Sequence, residues 1–161
     1  MSATSISYLL NRSTQLKTLE ISNCTIHMEG AIITKEEDKL NNLNVIIMRD
    51  NCGLTDVSIR NILTNCYNIE YISFINIKKL TDYSLFSIAD NCPNLQILSV
   101  DMEHQMTDVG LICILTKCLK CFQINPYSDS LDSYKLPETI QSQLNKRSTL
   151  HKFDYAAYES F

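Results

Sequence analysis

The sequence predicts an α/β fold in which similar strand–helix units are stacked side by side. A Thr-Asp pair recurs at one constant interval, at Thr55-Asp56, Thr81-Asp82 and Thr107-Asp108. A cysteine follows each pair at one offset, and the apolar residues around the pairs keep the same spacing, with cysteines at Cys66, Cys92 and Cys118. Because fixed periods of roughly 20–50 residues are typical of stacked repeat arrays, function is expected on a surface rather than in a pocket.

Each unit is predicted to contain a strand, a turn and a helix. In the third copy, alternating apolar residues predict the strand at Leu95, Leu98 and Val100. Apolar residues spaced three and four apart predict the helix at Leu111, Ile114 and Leu115. The Thr-Asp pair between them is predicted to cap the helix, since either side-chain oxygen can accept from a free N–H of the first turn. Stacked strands need roughly 4.8 Å each and helices about 10 Å, so the array is predicted to curve with its strands inside.

The predicted array extends less regularly to the N-terminal side of the clean repeats at 43–120. Leu16 and Ile21 belong to an earlier strand, and the charge run Lys35–Lys39 falls where the following helix should end. Ile6 occupies the position of a helix end, so the chain is predicted to begin within a repeat. An uncovered first strand has unpaired backbone groups, which predicts weak self-association through the N-terminal edge.

The C-terminal side is also less regular. Cys121 and Ile124 begin a fifth predicted strand, which Pro126 is expected to interrupt because proline cannot donate a backbone hydrogen bond. The repeat array is therefore assigned to residues 1–136, and residues 137–161 are predicted to form a C-terminal cap or tail with a helix start near Pro137.

Composition restricts the class of protein. The chain of 161 residues is 45% hydrophobic and 20% charged, which predicts one folded domain rather than disorder. The net charge of −4 and the missing basic stripe predict no nucleic-acid partner. Apolar runs of only a few residues and the N-terminal composition predict no membrane span and no signal peptide. Seven cysteines, mostly at repeat positions, favour a reducing compartment, so we predict the cytoplasm, with the nucleus as the alternative.

The unit reads L-x-x-L-x-L-x-x-(C/N)-x-x-(I/L)-T-D-x-x-L-x-x-L-x-x-x-C. It resembles the cysteine-containing subclass of leucine-rich repeats in F-box/LRR and Amn1-like proteins, and three full units carry the resemblance over residues 43–120. The ninth position departs from the pattern with Asn51, Ile77 and Glu103, and holds cysteine only at Cys24. The resemblance implies an α/β leucine-rich-repeat solenoid (arc), with about five parallel strands on the concave face and helices on the convex face.

Relatives of this kind commonly serve as substrate receptors of Skp–cullin–F-box ubiquitin ligases. The resemblance therefore implies a protein-binding module whose partners are a ubiquitylation target and a Skp-type adaptor. Two alternatives stay open, a non-enzymatic assembly or structural subunit and an Amn1-like competitor in cell-cycle regulation. Leu136-Pro137-Glu138 resembles the opening of an F-box, but it follows the repeats, and an ordinary capping helix is the preferred interpretation.

No set of residues predicts catalysis, a cofactor or a metal site, so the chain is predicted not to be an enzyme. The C-x-x-C of Cys118 and Cys121 occupies repeat positions and is interpreted as core packing. The row of carboxylates at Asp56, Asp82 and Asp108 is explained by helix capping. Scattered histidines favour surface positions, at His27, His104 and His151.

The concave face of the predicted arc is the candidate protein-binding surface. Its residues alternate with the core positions of the strands and comprise Val45, Ile47, Arg49, Tyr71, Ser73, Ile75, Ile97, Ser99, Asp101 and Tyr127. Val45, Tyr71 and Ile97 are predicted to lie side by side and exposed, with Tyr71 as the natural anchor for a partner. The alternatives are that other parts of the chain cover this face, or that β-propensity alone selects Val and Ile there.

Overall fold

The computed structural model describes residues 8, 10, 12–24, 40–50, 53–64, 66–102, 105–127 and 134–148. They contain five strands, namely β1 (Thr18–Ser22), β2 (Val45–Arg49), β3 (Tyr71–Ile75), β4 (Ile97–Asp101) and β5 (Gln123–Tyr127). They also contain four helices, namely α1 (Asp56–Leu63), α2 (Asp82–Asn91), α3 (Asp108–Lys117) and α4 (Glu138–Ser148). Several residues used in the predictions lie outside the described residues, namely Ile6, His27, Lys35–Lys39, Asn51, Glu103, His104 and His151.

The strands form one parallel sheet in the order β1-β2-β3-β4-β5. The register pairs Val45 with Tyr71 and Tyr71 with Ile97, so neighbours across the sheet are separated by the interval at which the Thr-Asp pairs recur. Equivalent residues of successive units therefore lie next to each other. The predicted α/β class with five parallel strands is confirmed.

One continuous core joins the sheet to the helices. Alternate strand residues, such as Met48, Phe74 and Val100, are at most 1% exposed and belong to it. Each of the first three helices contributes the apolar stripe that its sequence predicts, with Ile59 and Ile62, Leu85 and Ile88, and Leu111 and Ile114 all 0% exposed. Burial of these stripes is the main apolar contribution to stability, because an isolated unit has no second surface to cover its core face.

The prediction that Pro126 interrupts the fifth strand is wrong. Strand β5 continues through Pro126 to Tyr127, and Pro126 lies opposite Val100 in the parallel register. In the order of the five described strands β5 is last, and its neighbour is β4. A proline is tolerated in such a strand when its missing N–H falls on the side away from the neighbouring strand.

The threonine of each Thr-Asp pair caps its own helix. Thr55, Thr81 and Thr107 have extended backbones, with φ of −131°, −130° and −128°, and each side chain accepts a hydrogen bond from a first-turn N–H. The prediction that the aspartates also act as caps is not what the structure shows. Each aspartate is the first helical residue, and its carboxylate points instead to the next unit along the chain.

Asp56 shows this link most fully. One carboxylate oxygen accepts from the backbone N–H of Thr81 at 2.9 Å and from the hydroxyl of Ser84 at 2.5 Å. The other accepts from the hydroxyl of Thr81 at 2.8 Å. The carboxylate therefore holds the N-terminus of α2 against the N-terminus of α1. We call this arrangement the Asp–Thr clasp.

The clasp is repeated at the next junction and modified at the last. Asp82 accepts from the backbone N–H of Thr107 at 2.7 Å and from its hydroxyl at 2.6 Å. At Asp108 the donor is the phenol of Tyr134, which lies just before α4. The aspartate of each Thr-Asp pair thus connects its unit to the segment that follows.

A second set of contacts between units lies before the strands. The side-chain amides of Asn42, Asn68 and Asn94 donate to backbone carbonyls of the preceding unit at 2.9, 2.6 and 3.0 Å. Immediately after the first three strands, the chain turns through the left-handed region, with φ of 55°, 54° and 54° at Asn23, Asp50 and Asn76. Asn and Asp tolerate this conformation better than other non-glycine residues, so the polar residue at this point has a conformational reason.

Helix α4 closes the described core at its C-terminal end. Ile140 and Leu144 are 2% and 6% exposed and belong to the common core. Arg147 donates to the backbone carbonyl oxygens of Leu115, Cys118 and Cys121 at 2.5, 3.1 and 3.0 Å. Carbonyls at the end of a helix lack a partner within it, so the bonds to Leu115 and Cys118 add donors at the end of α3. The bond to Cys121 ties α4 to the segment before β5.

Gly110 allows α3 to approach α2 closely, which leads to a testable prediction. A Cβ atom at this position would lie 2.4 Å from Leu85 Cδ1 and 2.6 Å from Asp82 Oδ1. Gly110→Ala is therefore expected to lower the free energy of unfolding by about 2 kcal/mol, as overpacking does. Helix propensity alone predicts the opposite sign, a gain of about 1 kcal/mol.

Urea denaturation followed by circular dichroism distinguishes these two signs. Val109→Ala is the matched control, because Val109 lies beside Gly110 on the same helix and is 62% exposed. We expect the control to change stability by less than about 0.5 kcal/mol. A Gly110→Ala variant at least as stable as the parent chain would show that the two helices do not require this close contact.

Candidate protein-binding face of the sheet

The candidate surface is the side of the sheet that faces away from the common core. We call it the outward sheet face. Its residues alternate with core residues along each strand, and none of them belongs to the core cluster. They comprise Val45, Ile47 and Arg49 on β2, Tyr71, Ser73 and Ile75 on β3, Ile97, Ser99 and Asp101 on β4, and Tyr127 on β5.

The strand register brings these residues together in the rows that the sequence predicts. Tyr71 lies between Val45 and Ile97. In the second row Ser73 lies between Ile47 and Ser99. The third row contains two pairs, Arg49 with Ile75 and Asp101 with Tyr127.

The expected exposure of the apolar centre is wrong. Val45, Ile47 and Ile97 are only 5%, 0% and 2% exposed, so their side chains are not available to a partner in this conformation. Arg49, Tyr71, Ile75 and Asp101 are half-buried, while Tyr127 is 41% exposed. Strand alternation determines the side of the sheet to which a residue points, whereas its exposure depends on everything packed around it.

The accessible residues of this face are also held by contacts. Arg49, Tyr71, Asp101 and Tyr127 each take part in a polar, ring or electrostatic interaction. None of these four residues is therefore without an interaction partner.

A short polar network crosses the same face. The Gln123 amide donates to Asn125 at 2.8 Å, and the Asn125 amide donates to the hydroxyl of Ser99 at 3.1 Å. The neighbouring Ser73 is 0% exposed, and among the described residues its hydroxyl has no hydrogen-bond partner.

The cysteines are placed for packing. Cys66, Cys92, Cys118 and Cys121 are all 0% exposed. Burial raises the pKa of Cys66 and Cys121 to about 12, because a thiolate in the core would lose its hydration. Among the described residues no three His, Cys, Asp or Glu side chains are grouped so that they could hold a metal ion. The C-x-x-C pair therefore consists of neutral thiols in the core rather than reactive groups.

The sequence interpretation missed a second surface, on the outer side of the helices. Val57, Tyr83 and Val109 occupy equivalent positions in successive units and are 48%, 70% and 62% exposed. In the next helical turn Ile112 is 52% exposed, and Phe86 is its equivalent on α2. The signal was present in the sequence, since an apolar residue follows every Thr-Asp pair directly.

None of the helices in the described parts of the chain is long and apolar enough to cross a membrane.

Comparison with protein-family models found no match for the chain, and comparison with curated proteins found none either.

Proposed function

We propose that the chain is a leucine-rich-repeat solenoid of the cysteine-containing subclass, an arc with its strands on the concave face and its helices on the convex face. The repeated junction between units carries this proposal, because strand pairing and the Asp–Thr clasp both join equivalent parts of consecutive units. Strands stack at roughly 4.8 Å and helices at about 10 Å, and this difference favours curvature. In such an array the outward sheet face is the concave face.

The proposed function is that of a non-enzymatic protein-binding module. It recognises a target protein for degradation through a Skp–cullin–F-box ubiquitin ligase, in the cytoplasm or nucleus. The sequence resemblance supports the link to the ligase, and the half-buried aromatic, apolar and charged residues of the outward sheet face support protein binding. Neither proposed partner is a nucleic acid or a membrane, in line with the net charge of −4.

Tyr71 is the proposed centre of this binding face. It is half-buried, and in the strand register it lies between Val45 and Ile97, which are both buried. Arg49, Ile75 and Asp101 are also half-buried and accompany it on the same face. A half-buried aromatic residue with charged and apolar neighbours is a typical composition for an interface hot spot.

We expect Tyr71→Ala to weaken target binding about tenfold or more, because loss of an interface hot spot costs roughly 2 kcal/mol. The measurement is affinity purification with the full chain as bait and quantitative mass spectrometry of the captured proteins. Tyr67→Ala is the matched control, since Tyr67 is 51% exposed and precedes β3 rather than lying on the outward sheet face. Both variants are first checked for unchanged thermal unfolding.

The captured proteins also separate the alternative functions. A Tyr71-dependent target together with Skp and cullin components indicates a substrate receptor. The same target without Skp or cullin indicates a competitor. Stable co-migration with a large membrane-associated assembly, unaffected by Tyr71→Ala, would contradict the proposal and favour an assembly subunit.

A further inference from the structure

The outer side of the first three helices carries an exposed apolar ridge. We define the helix-face ridge as Val57 on α1, Tyr83 and Phe86 on α2, and Val109 and Ile112 on α3. Four of these side chains are 48–70% exposed, and Phe86 is half-buried. Contiguous apolar surface on a folded chain marks an interaction site more often than isolated exposed residues do.

Folding does not require apolar residues at these positions. The core stripes of the same helices are formed by other residues, among them Ile59, Leu85 and Leu111, which are 0% exposed. Tyr83 and Phe86 pack edge to face, with ring centroids 6.0 Å apart, and this contact places two aromatic rings at the centre of the ridge. None of the five ridge residues belongs to the core cluster, so burial in that core does not account for their apolar character.

A groove between α1 and α2 runs beside the aromatic pair. Its walls come from both helices and include Val57, Arg60, Tyr83, Phe86 and Asp90. The lining also includes Asp56 on α1 and Ser87 on α2. The groove therefore combines apolar and aromatic side chains with the Arg60 guanidinium and two carboxylates. A side chain from a partner could enter it between the two helices.

The charges around the ridge indicate what kind of partner fits. The Asp56 carboxylate is occupied by the clasp to Thr81 and Ser84, and Asp90 forms an ion pair with Lys117. Arg60 is exposed and forms no ion pair within the described parts of the chain. It occupies the position equivalent to Phe86 and Ile112 on the following helices. The ridge thus has an apolar end on α3, an aromatic centre on α2 and, on α1, a positive charge that has no ion pair among the described residues.

The dimensions define the length of the partner element. Neighbouring packed helices lie about 8–10 Å apart, so the ridge from α1 to α3 is roughly 20 Å long. A helix rises about 1.5 Å per residue, and a segment of about 14 residues spans that distance. An apolar stripe with a 3,4 spacing along such a segment matches a continuous apolar ridge.

We propose that the helix-face ridge binds an amphipathic helix of a partner protein, about 14 residues long, whose apolar stripe ends in an acidic residue that pairs with Arg60. The stripe covers Val109, Ile112 and the aromatic pair, and a large apolar side chain enters the groove between α1 and α2. This site lies on the opposite side of the molecule's core from the outward sheet face. It does not depend on the function proposed for that face.

The test uses two fluorescein-labelled helical peptides of this length that differ at one position. Both carry leucine and phenylalanine on one stripe, and the terminal residue of the stripe is glutamate in one and lysine in the other. Fluorescence anisotropy with the full chain at low salt is expected to show about fivefold tighter binding of the glutamate peptide. An exposed ion pair accounts for a difference of this size.

Three variants test the assigned roles. Arg60→Glu is expected to reverse the preference between the peptides, and Arg60→Gln to abolish it, because only the charge of an exposed side chain changes. Tyr83→Ser is expected to lower the affinity for both peptides about tenfold, as loss of an aromatic anchor does. Tyr67→Ser, which alters an exposed tyrosine outside the ridge, is the control and should leave both affinities unchanged.

Several results would overturn the proposal. The proposal is wrong if neither peptide binds, or if the chain with Arg60→Glu still prefers the glutamate peptide. It is also wrong if Tyr67→Ser and Tyr83→Ser lower the peptide affinity equally. Sedimentation velocity provides an independent check, since self-association that disappears with Tyr83→Ser would show that a second copy of this chain occupies the ridge instead.

Discussion

Replacing Asp56 with alanine is expected to lower the free energy of unfolding by about 3 kcal/mol, because three hydrogen bonds to one carboxylate are lost together. Two of the donors belong to Thr81, which caps α2, and the third is the hydroxyl of the buried Ser84. The substitution therefore leaves a helix terminus without its link to the preceding unit. Repeat arrays depend on such contacts between neighbours, so the effect is expected to spread to both units.

Urea denaturation of the full chain measures this change. Asp90→Ala is the matched control, since Asp90 is also a helical aspartate but its ion pair with Lys117 is exposed. Exposed ion pairs contribute about 0–1 kcal/mol, so the control should change little. Combining Asp56→Ala with Thr81→Val in a double-mutant cycle isolates the coupling between the two residues. Equal destabilisation by the Asp56 and Asp90 substitutions would contradict the clasp.

The second large effect is a loss of stability at alkaline pH, caused by buried thiols. Burial raises the pKa of Cys66, Cys118 and Cys121 from 9.0 to about 12, and it raises the pKa of Cys92 well above 9.0. Above pH 9.0 the unfolded thiols release protons while the folded ones retain them, so the unfolded state binds fewer protons. The contribution of these thiols is therefore fully present below pH 9.0 and is lost as the pH rises towards about 12.

Each such thiol is expected to lower the free energy of unfolding by roughly 1 to 2 kcal/mol per pH unit within this window. Burial and the hydrogen bond to Asp108 also raise the pKa of Tyr134, from 10.0 to about 12, which adds to the loss above pH 10.0. Since a domain of this size has a total stability of about 5–15 kcal/mol, cooperative unfolding is expected before the folded thiols titrate.

Urea denaturation at a series of pH values from 8 to about 10.5, under reducing conditions, tests this expectation. Cys92→Ala removes one of the four buried thiols named above. The free energy of unfolding should then fall less steeply with pH, because one proton fewer is released on unfolding. Cys113→Ala removes a half-buried thiol outside this set and serves as the control. A free energy of unfolding that stays constant through this range would mean that the core admits thiolates or water.

Sequence periodicity was sufficient to predict the parallel pairing and the register of strands β2, β3 and β4. Three copies of one spacing specify which residues become neighbours across the sheet. The pairs Val45–Tyr71 and Tyr71–Ile97 therefore follow from the sequence alone. Pro126 shows the limit of local rules. A proline disrupts a strand only where its N–H is needed, and that need depends on whether a further strand follows.

The sequence by itself determined the α/β class, the five parallel strands and the residues that point to each side of the sheet, because periods of 2 and 3.6 residues define faces locally. Only the tertiary structure decided that the aspartate of each Thr-Asp pair bonds to the following unit, since its acceptor oxygens could equally have capped their own helix. The exposure of side chains also depends on the tertiary structure, in which Val45, Ile47 and Ile97 are buried while Tyr83 and Val109 are exposed to solvent. The physical reason is that exposure and hydrogen-bond partners depend on atoms distant in the sequence, whereas periodicity reports only the direction in which a side chain leaves the backbone.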